Sequence, residues 1–355
     1  MTSRIKKIQE QLDRYGIDGL LITKKENRQY ATEFTGSAGA ALLSATEAVF
    51  ITDFRYVDQA KTQVQEAEII MHKGNMEQEI ANQITKLSIK KLGIEENNMT
   101  LKQYSSLKKY TNIELVQVSE LVETIRAIKE ESEIETIKIA ARIADEAFQH
   151  ITGFLKPGVS EFDVRDELEF FMRKQGASSS SFNIIVASGV RSSLPHGVAT
   201  NKIIENGDMV TLDFGALYNG YCSDLTRTIA IGSYSKEFEK IYSIVLEALK
   251  RGTKAIRPGE SAKTIDDVTR NYITDNGYGE YFGHSTGHGV GLELHEPLRL
   301  SQESKATLQE GMVVTVEPGI YIPNWGGCRI EDDIVITKDG HEVITKANRD
   351  LIVIG

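Results

Sequence analysis

The Asn219-Gly220 pair is the strongest constraint on this chain, because it lies between Asp213-Phe214-Gly215-Ala216-Leu217-Tyr218 and Tyr221-Cys222-Ser223-Asp224, two runs rich in apolar and aromatic residues. Asn-Gly favours the positive φ angles of a two-residue hairpin turn, so the runs read as antiparallel strands in one fixed register. Counting outward from the turn, Tyr218 faces Tyr221, Gly215 faces Asp224 and Asp213 faces Thr226. Asp213 and Asp224 then share a face as diagonal neighbours, about 7–8 Å apart at Cα and closer at their carboxyls. In a dry site two anions so close require a positive group between them. The competing reading is an edge hairpin with both side chains in water, the common fate of aspartate. The hairpin alone leaves the two readings equal.

At 355 residues the chain is longer than one typical core, which predicts two domains. In residues 1–125 the runs GLLIT, ALLSA, AVFIT, AEIIM, KKLGIEE and ELVQV alternate with amphipathic stretches, an α/β layout. Near Arg126 the pattern changes. Ile128-Lys129-Glu130-Glu131-Ser132-Glu133 opens a long helix towards Phe154, with Ser132 and Glu135 as its expected capping box. Residues 126–355 then carry helices over 131–154, 160–175, 235–256 and 261–276, and strands over 182–187, 208–215, 221–231, 312–322 and 328–337. This order predicts an α+β domain whose curved, largely antiparallel sheet carries helices on one side. No solenoid-type repeat is present.

A net charge of −10 and a pI near 5.4 exclude an electrostatic nucleic-acid or anionic-membrane partner, since no basic surplus exists to displace counterions. The N-terminal MTSRIKKIQEQLDRYGIDGLLIT scatters charge through its apolar positions and reads as an amphipathic helix leading to a strand, not a signal peptide. No apolar stretch is long enough to cross a bilayer. Cys222 and Cys328 form no disulfide framework and lack metal-knuckle spacing. A cytoplasmic location is the expectation.

Seven histidines occur in the chain, yet His284, His288 and His295 fall together in HSTGHGVGLELHE, and His196 lies in the same domain. Gly287, Gly289 and Gly291 around His288 give a backbone that can bend closely round a bound group. Each histidine alone reads as a structural residue; three in one glycine-rich segment point to ligand or acid–base work. Glu317 ends the apolar run Met312–Val316, before Pro318-Gly319. Glu331 lies in CRIEDDIVI, where alternation puts it on one face with Arg329; alone it reads as a surface salt bridge. Asp213, Asp224, Glu317, Glu331 and His288 together offer four carboxylates and one imidazole. Oxygen-rich ligation without thiolate suits Mn, Mg, Co(II), Fe(II) or a carboxylate-rich Zn site. Four negative ligands call for two divalent ions, which acidify a shared water and make it a nucleophile near neutral pH. That is hydrolytic chemistry.

The series from Asp213 and Asp224 through GHGVGLELHE and VEPG to RIEDD resembles the pita-bread-fold metallopeptidases, which include methionine aminopeptidase, aminopeptidase P and Xaa-Pro dipeptidase (prolidase). TDFRYVDQA and the RAIKEESEIE junction resemble the prolidase and aminopeptidase P branch, which carries a creatinase-like α/β N-terminal domain. The likeness spans nearly the whole chain. It implies a C-terminal pita-bread catalytic domain in which Asp213 chelates one ion, Asp224 and Glu331 bridge, and His288 and Glu317 hold the second. It makes Glu317 the general base, puts His196 near the substrate amine and reacting carbonyl, and makes His295 the stabiliser of the tetrahedral intermediate. His284 and Tyr321 would shape the proline pocket, and Arg299 would meet the substrate's terminal carboxylate. Arg329 would stand behind Glu331 and fix its orientation, with Thr226 beside it. Manganese is the expected metal, with cobalt, zinc or iron as alternatives; a homodimer suits the family, and short proline-containing peptides are the expected substrates.

Two local patterns mislead. Asp213-Phe214-Gly215 spells the kinase metal-binding triplet without the other kinase motifs. GHGVG lacks the spacing and acidic partner of a dinucleotide fingerprint. The expectation is therefore a dinuclear-metal Xaa-Pro hydrolase, prolidase in type. The alternatives are an aminopeptidase P acting on longer peptides, another specificity on the same fold, and a non-catalytic binding protein that retains the fold, as creatinase retains it without metal.

Overall fold

A computed structural model describes residues 3–355, and the chain divides into two compact units, Met1–Arg126 and Ala127–Gly355. The first unit is built on β1 (Gly19–Ile22), β2 (Ala40–Ser44), β3 (Ala48–Thr52), β4 (Glu68–Met71), β5 (Lys91–Glu95) and β6 (Glu114–Val118), in the order β4-β3-β2-β1-β5-β6. β2 runs antiparallel to both neighbours, and the other pairs are parallel. β1 and β2 are buried along their whole length, which is why GLLI and AALLS are unbroken apolar runs and not alternating ones. On one face Leu21, Leu42, Ile51 and Leu92 pack with Ile80, Ile84 and Leu107 from the helices Met76–Lys86 and Leu101–Lys108. The alternating α/β pattern of the sequence is thus realised.

The second unit has two cores, each with its own pair of helices. In one, Ala140, Ala144 and Ile151 of the helix Glu131–Phe154 and Leu168 and Met172 of Glu161–Lys174 pack on a four-stranded sheet. That sheet has the order β20-β12-β9-β8, formed by β8 (Ile185–Ser188), β9 (Met209–Phe214), β12 (Leu225–Ile231) and β20 (Val353–Ile354). In the other, Ile241, Val245 and Ala248 of Lys236–Ala255 and Ile265 of Ala262–Asp275 pack on a five-stranded sheet. Its order is β14-β13-β15-β18-β19, formed by β13 (Gly287–Gly289), β14 (Glu296–Leu300), β15 (Val313–Val316), β18 (Asp332–Thr337) and β19 (Gly340–Val343). β7 (Ser179–Ser180), β10 (Ala216–Tyr218) and β11 (Tyr221–Cys222) form a short third sheet, and β16 (Gly319–Ile322) pairs with β17 (Gly326–Arg329). The single curved sheet expected from sequence is therefore two main sheets with two short extensions.

The cause is four strand breaks. The hairpin register is as counted: Tyr218 pairs Tyr221 and Asp213 pairs Thr226, with Asn219 and Gly220 at φ of 48° and 87°. Midway, however, the ladder bends. Ala216 N–H donates to the Ser223 hydroxyl (3.0 Å) and Ser181 Oγ donates to the Ser223 carbonyl (2.8 Å). A Cβ on Gly215 would lie 1.7 Å from that carbonyl oxygen, so only glycine permits the approach. The later hairpin repeats the device: Val316 pairs Asp332 and Gly319 pairs Arg329, while Glu317-Pro318 and Ile330-Glu331 lie unpaired between. Pro318 has no N–H to give to a ladder.

The capping box also differs from expectation. The long helix begins at Glu131, so Ser132 is inside it, and the Glu133 carboxylate accepts the Glu130 N–H at 2.9 Å. Glu133 also accepts the Tyr221 hydroxyl at 2.8 Å, a tertiary contact that ties the start of the helix to the first hairpin.

Candidate active site

The strand breaks place carboxylates where backbone N–H groups turn away from their own ladders. Asp224 N–H donates to Asp333 Oδ2 (2.8 Å), Glu317 N–H to the Thr286 carbonyl (2.8 Å) and Glu331 N–H to the Thr226 carbonyl (3.1 Å). These bonds stitch the two hairpins and the His288 segment together. Asp213, Asp224, His288, Glu317 and Glu331 thereby line one cavity of about 310 Å³, with His196, His284, His295, Arg299 and Arg329 also on its wall. Phe182, Ile185, Pro195 and Leu294 supply its apolar side.

Around the carboxylates the hydrogen bonding is incomplete in a specific way. Thr226 Oγ1 donates to Glu331 Oε2 at 2.6 Å, and Arg329 Nη2 donates to Asp213 Oδ2 at 2.5 Å. The other oxygens, Asp213 Oδ1, Asp224 Oδ1 and Glu331 Oε1, are buried and take no hydrogen bond among the described residues. Orphaned buried acceptors are costly, and more so when anionic. Burial, then the charges of their neighbours, pushes the Asp224 and Glu331 carboxyls well above the ordinary range, and burial pushes Glu317 up to about 7. Every one of these penalties is relieved by a cation.

His288 completes the donor set. Its Nδ1 lies 3.1 Å from the Gly289 carbonyl, which can only accept, so Nδ1 carries the proton and the Nε2 lone pair faces inward. Nε2 is 3.6 Å from Asp224 Oδ2 and 3.4 Å from Glu317 Oε1. Burial lowers its pKa to about 3, which keeps the ring neutral and ligating. One atom each from Asp224, His288 and Glu331 lie within 4.8 Å of one another, a spacing that three ligands of one ion can span. Three orphaned oxygens, the further carboxyl of Glu317 and a neutral nitrogen fit hard or borderline divalent cations.

Two of the anticipated roles change. Arg329 does not hydrogen-bond Glu331. Its Nη2 is on Asp213, its Nε is on Thr226 Oγ1 (3.2 Å) and its Nη1 is on Tyr321 Oη (2.6 Å); Thr226 is the anchor of Glu331. Tyr321 is not on the cavity wall, because its hydroxyl is spent behind it, accepting a hydrogen bond from Arg329 and reaching His284 Nε2 at 2.9 Å. With His284 Nδ1 on the Ser285 carbonyl at 2.8 Å, the Tyr321 hydroxyl must donate to Nε2. His284, neutral because burial lowers its pKa to about 4, does line the cavity.

His295 stacks edge-on against His288 with ring centroids 4.3 Å apart, and like His196 and Arg299 it is solvent-exposed at the mouth. Thr315 and Asp333 were not singled out from sequence. Thr315 Oγ1 accepts the His288 N–H (3.1 Å) and lies 3.4 Å from Glu317 Oε1. The signal for both was alternation, since Thr315 is two residues before Glu317 and Asp333 two after Glu331.

Comparisons with known proteins agree with this geometry. The profile described as metallopeptidase family M24 matches residues 135–338, and that described as creatinase/prolidase N-terminal domain matches 4–128. The structure of an Xaa-Pro dipeptidase from Bacillus anthracis is 56% identical, with a TM-score of 0.97 over 99% of each chain. An Xaa-Pro dipeptidase from Pyrococcus horikoshii is 43% identical over 99% of each chain. The structure of an X-Pro aminopeptidase from Thermotoga maritima is 38% identical, with a TM-score of 0.91 over 97% of this chain and all of its own. A creatinase-type N-terminal domain preceding a pita-bread domain with a carboxylate-rich, divalent-metal centre thus describes the whole chain, which belongs to metallopeptidase family M24.

Proposed function

We propose that this chain is an Xaa-Pro dipeptidase that uses two divalent ions, manganese first among them, to hydrolyse the bond before proline. The observation that carries the reading is the convergence of three orphaned carboxylate oxygens and the His288 Nε2 lone pair on one cavity. Asp213, Asp224, His288, Glu317 and Glu331 would hold the ions. When bound, the ions supply Lewis acidity at the scissile carbonyl and lower the pKa of water held there.

The chain's own residues do the rest. Glu317, raised by burial, takes the proton of the attacking water and passes it towards the leaving proline nitrogen. His295 donates to the oxyanion as it develops, and His196 donates near the substrate amine and carbonyl. Arg329 neutralises Asp213 and fixes Tyr321, which fixes His284 on the proline side of the cavity. Arg299 binds the carboxylate that follows proline in a dipeptide. We further propose a cytoplasmic homodimer whose domains are 1–125 and 126–355.

The test compares an Xaa-Pro dipeptide with the same peptide extended by one residue, after chelation and manganese readdition. Chelation should abolish turnover and manganese should restore it. Arg299→Ala should lower dipeptide kcat/KM about ten- to a hundredfold, as for loss of a charge-assisted hydrogen bond of about 1.5–3 kcal/mol, and spare the longer peptide. A wild-type preference for the longer peptide would reassign the enzyme to the aminopeptidase P type.

A further inference from the structure

His196 is exposed, as are Leu194 and Val198 beside it, and among the described residues its ring takes no hydrogen bond. A side chain with donor work at a reacting carbonyl cannot be held by so little packing. What holds it lies one layer back, at Glu161.

Glu161 is the first residue of the helix Glu161–Lys174, and its side chain is fully buried. Its Oε1 accepts from Ser188 N–H and Oγ, both at 2.8 Å. Its Oε2 accepts from Thr200 N–H (3.0 Å), Thr200 Oγ1 (2.7 Å) and Arg191 Nη1. The start, middle and end of the loop that carries His196 therefore converge on one carboxylate. Arg191 also reaches forward, with Nη2 donating to the Val198 carbonyl at 2.8 Å, two residues past His196. Leu194 O accepts the Gly197 N–H at 3.0 Å and closes the turn around Pro195-His196. On its other side the loop rests on β17: Gly327 N–H donates to Ser192 Oγ at 2.8 Å, and a Cβ on Gly327 would come 2.3 Å from the Ser192 carbonyl oxygen. β17 ends at Arg329, whose guanidinium donates to the Asp213 carboxylate, so the loop is referenced to the strand that orients that aspartate.

We propose that Glu161 and Arg191 form a clasp that positions His196 for the reaction. Neither residue reaches the cavity; both are positioning residues, and the inference rests on the role given to His196 above. The chemistry is particular to a carboxylate. All five partners are donors, so a glutamine in either orientation would turn its NH₂ against donors it cannot satisfy. Arg191 is the only charged one among them, and of the five it alone also reaches the Val198 carbonyl on the loop's far arm.

Arg191 is partly exposed, so Arg191→Ala removes the cross-tie without opening the core. The variant should lower kcat/KM for an Xaa-Pro dipeptide about ten- to a hundredfold, the scale of misplacing one catalytic group. The loss should divide between kcat and KM as it does in His196→Ala, with metal content unchanged. Introduced into His196→Ala, Arg191→Ala should cost almost nothing more, because both changes remove the same interaction. Amide exchange should rise over residues 188–200 and not elsewhere. Glu161→Gln should reproduce the same non-additivity.

An equal fractional loss in both backgrounds would make the clasp a general structural element and overturn the proposal. A slow His196→Ala beside a fully active Arg191→Ala, with unchanged exchange, would overturn the clasp alone. His196→Ala at wild-type rate would overturn the role assigned to His196, and the clasp with it.

Discussion

Single atoms decide most of the chemistry. The Gly289 carbonyl sets the His288 tautomer, the Ser285 carbonyl sets that of His284, and the Tyr321 hydroxyl is left one orientation, donating to His284 while accepting a hydrogen bond from Arg329. Among the described residues His295 has no such carbonyl partner; its outer side is exposed at the mouth while its ring packs against His288, and that partial desolvation first, then the Arg299 charge, lowers its pKa. A neutral ring there is a donor free to meet a developing oxyanion. His295→Ala should lower kcat about 10²–10³-fold, the scale of one lost oxyanion donor, while bound metal stays at the wild-type level. Loss of metal from that variant would make His295 a ligand-supporting residue. At this scale the sequence was generous with residue types and poor in partners. The five carboxyl and imidazole ligand candidates were legible because they share spacing with a known family. The resemblance implies that Arg329 anchors Glu331, and alternation puts the two on one face, whereas the hairpin beside it brings Asp213 within 2.5 Å. That is a contact between strands more than a hundred residues apart in sequence, and no local pattern encodes it.

Two hairpins do the work of assembly, and each is broken where it matters. Asn219-Gly220 made the register of the first readable to the residue, since a two-residue turn leaves no freedom once its φ signs are set. The breaks were not readable. Apolar and β-branched residues recur through 208–215, 221–231, 312–322 and 328–337, so the pattern predicts continuous strands while the ladders stop at Gly215, Ser223, Glu317 and Ile330. The interruptions are set by close backbone approach and by bonds to other elements, which hydropathy does not record. Gly215 tests this directly. Gly215→Ala puts a methyl on the Ser223 carbonyl oxygen and Ser181 Oγ and should cost about 1–3 kcal/mol of stability, as overpacking does. Because Asp213 and Asp224 flank the same bend, metal affinity measured by calorimetric titration should fall with it. Gly153→Ala, on the exposed face of the helix Glu131–Phe154 with open space around it, should instead stabilise by about 0.5–1 kcal/mol and leave metal binding alone. Equal behaviour of the two alanines would mean that the bend is not what aims the aspartates.

At the scale of the whole catalytic unit, each helix pair and sheet forms its own core, and the ligand set is divided between them. Asp213 and Asp224 come from one half; His288, Glu317 and Glu331 come from the other. Without a cation the halves meet across like charges, and the fold must keep protons that the unfolded chain releases near pH 4. The sign then follows. Asp224, Glu331 and Glu317 have folded pKa values raised by burial, so the folded state binds more protons than the unfolded state and metal-free stability falls as pH rises. His284 and His288, lowered to about 4 and 3, act oppositely, but only up to the ordinary histidine value near 6.5, above which both states are neutral. Metal-free protein should therefore lose stability as pH rises above the ordinary carboxylate range and through about 7, and manganese should raise Tm more at pH 8 than at pH 6 because binding displaces those protons. Glu331→Gln separates the terms. It keeps the shape and removes one buried charge, so the metal-free variant should melt above metal-free wild type at pH 8, by about 2–4 °C for each kcal/mol relieved. Its affinity for manganese should fall at the same time, because the orphaned oxygen that the ion would satisfy belongs to that carboxylate. A variant less stable than wild type in chelator at pH 8, or a wild-type Tm that climbs with pH through this range, would show that the carboxyl cluster is not the strained element of the metal-free fold.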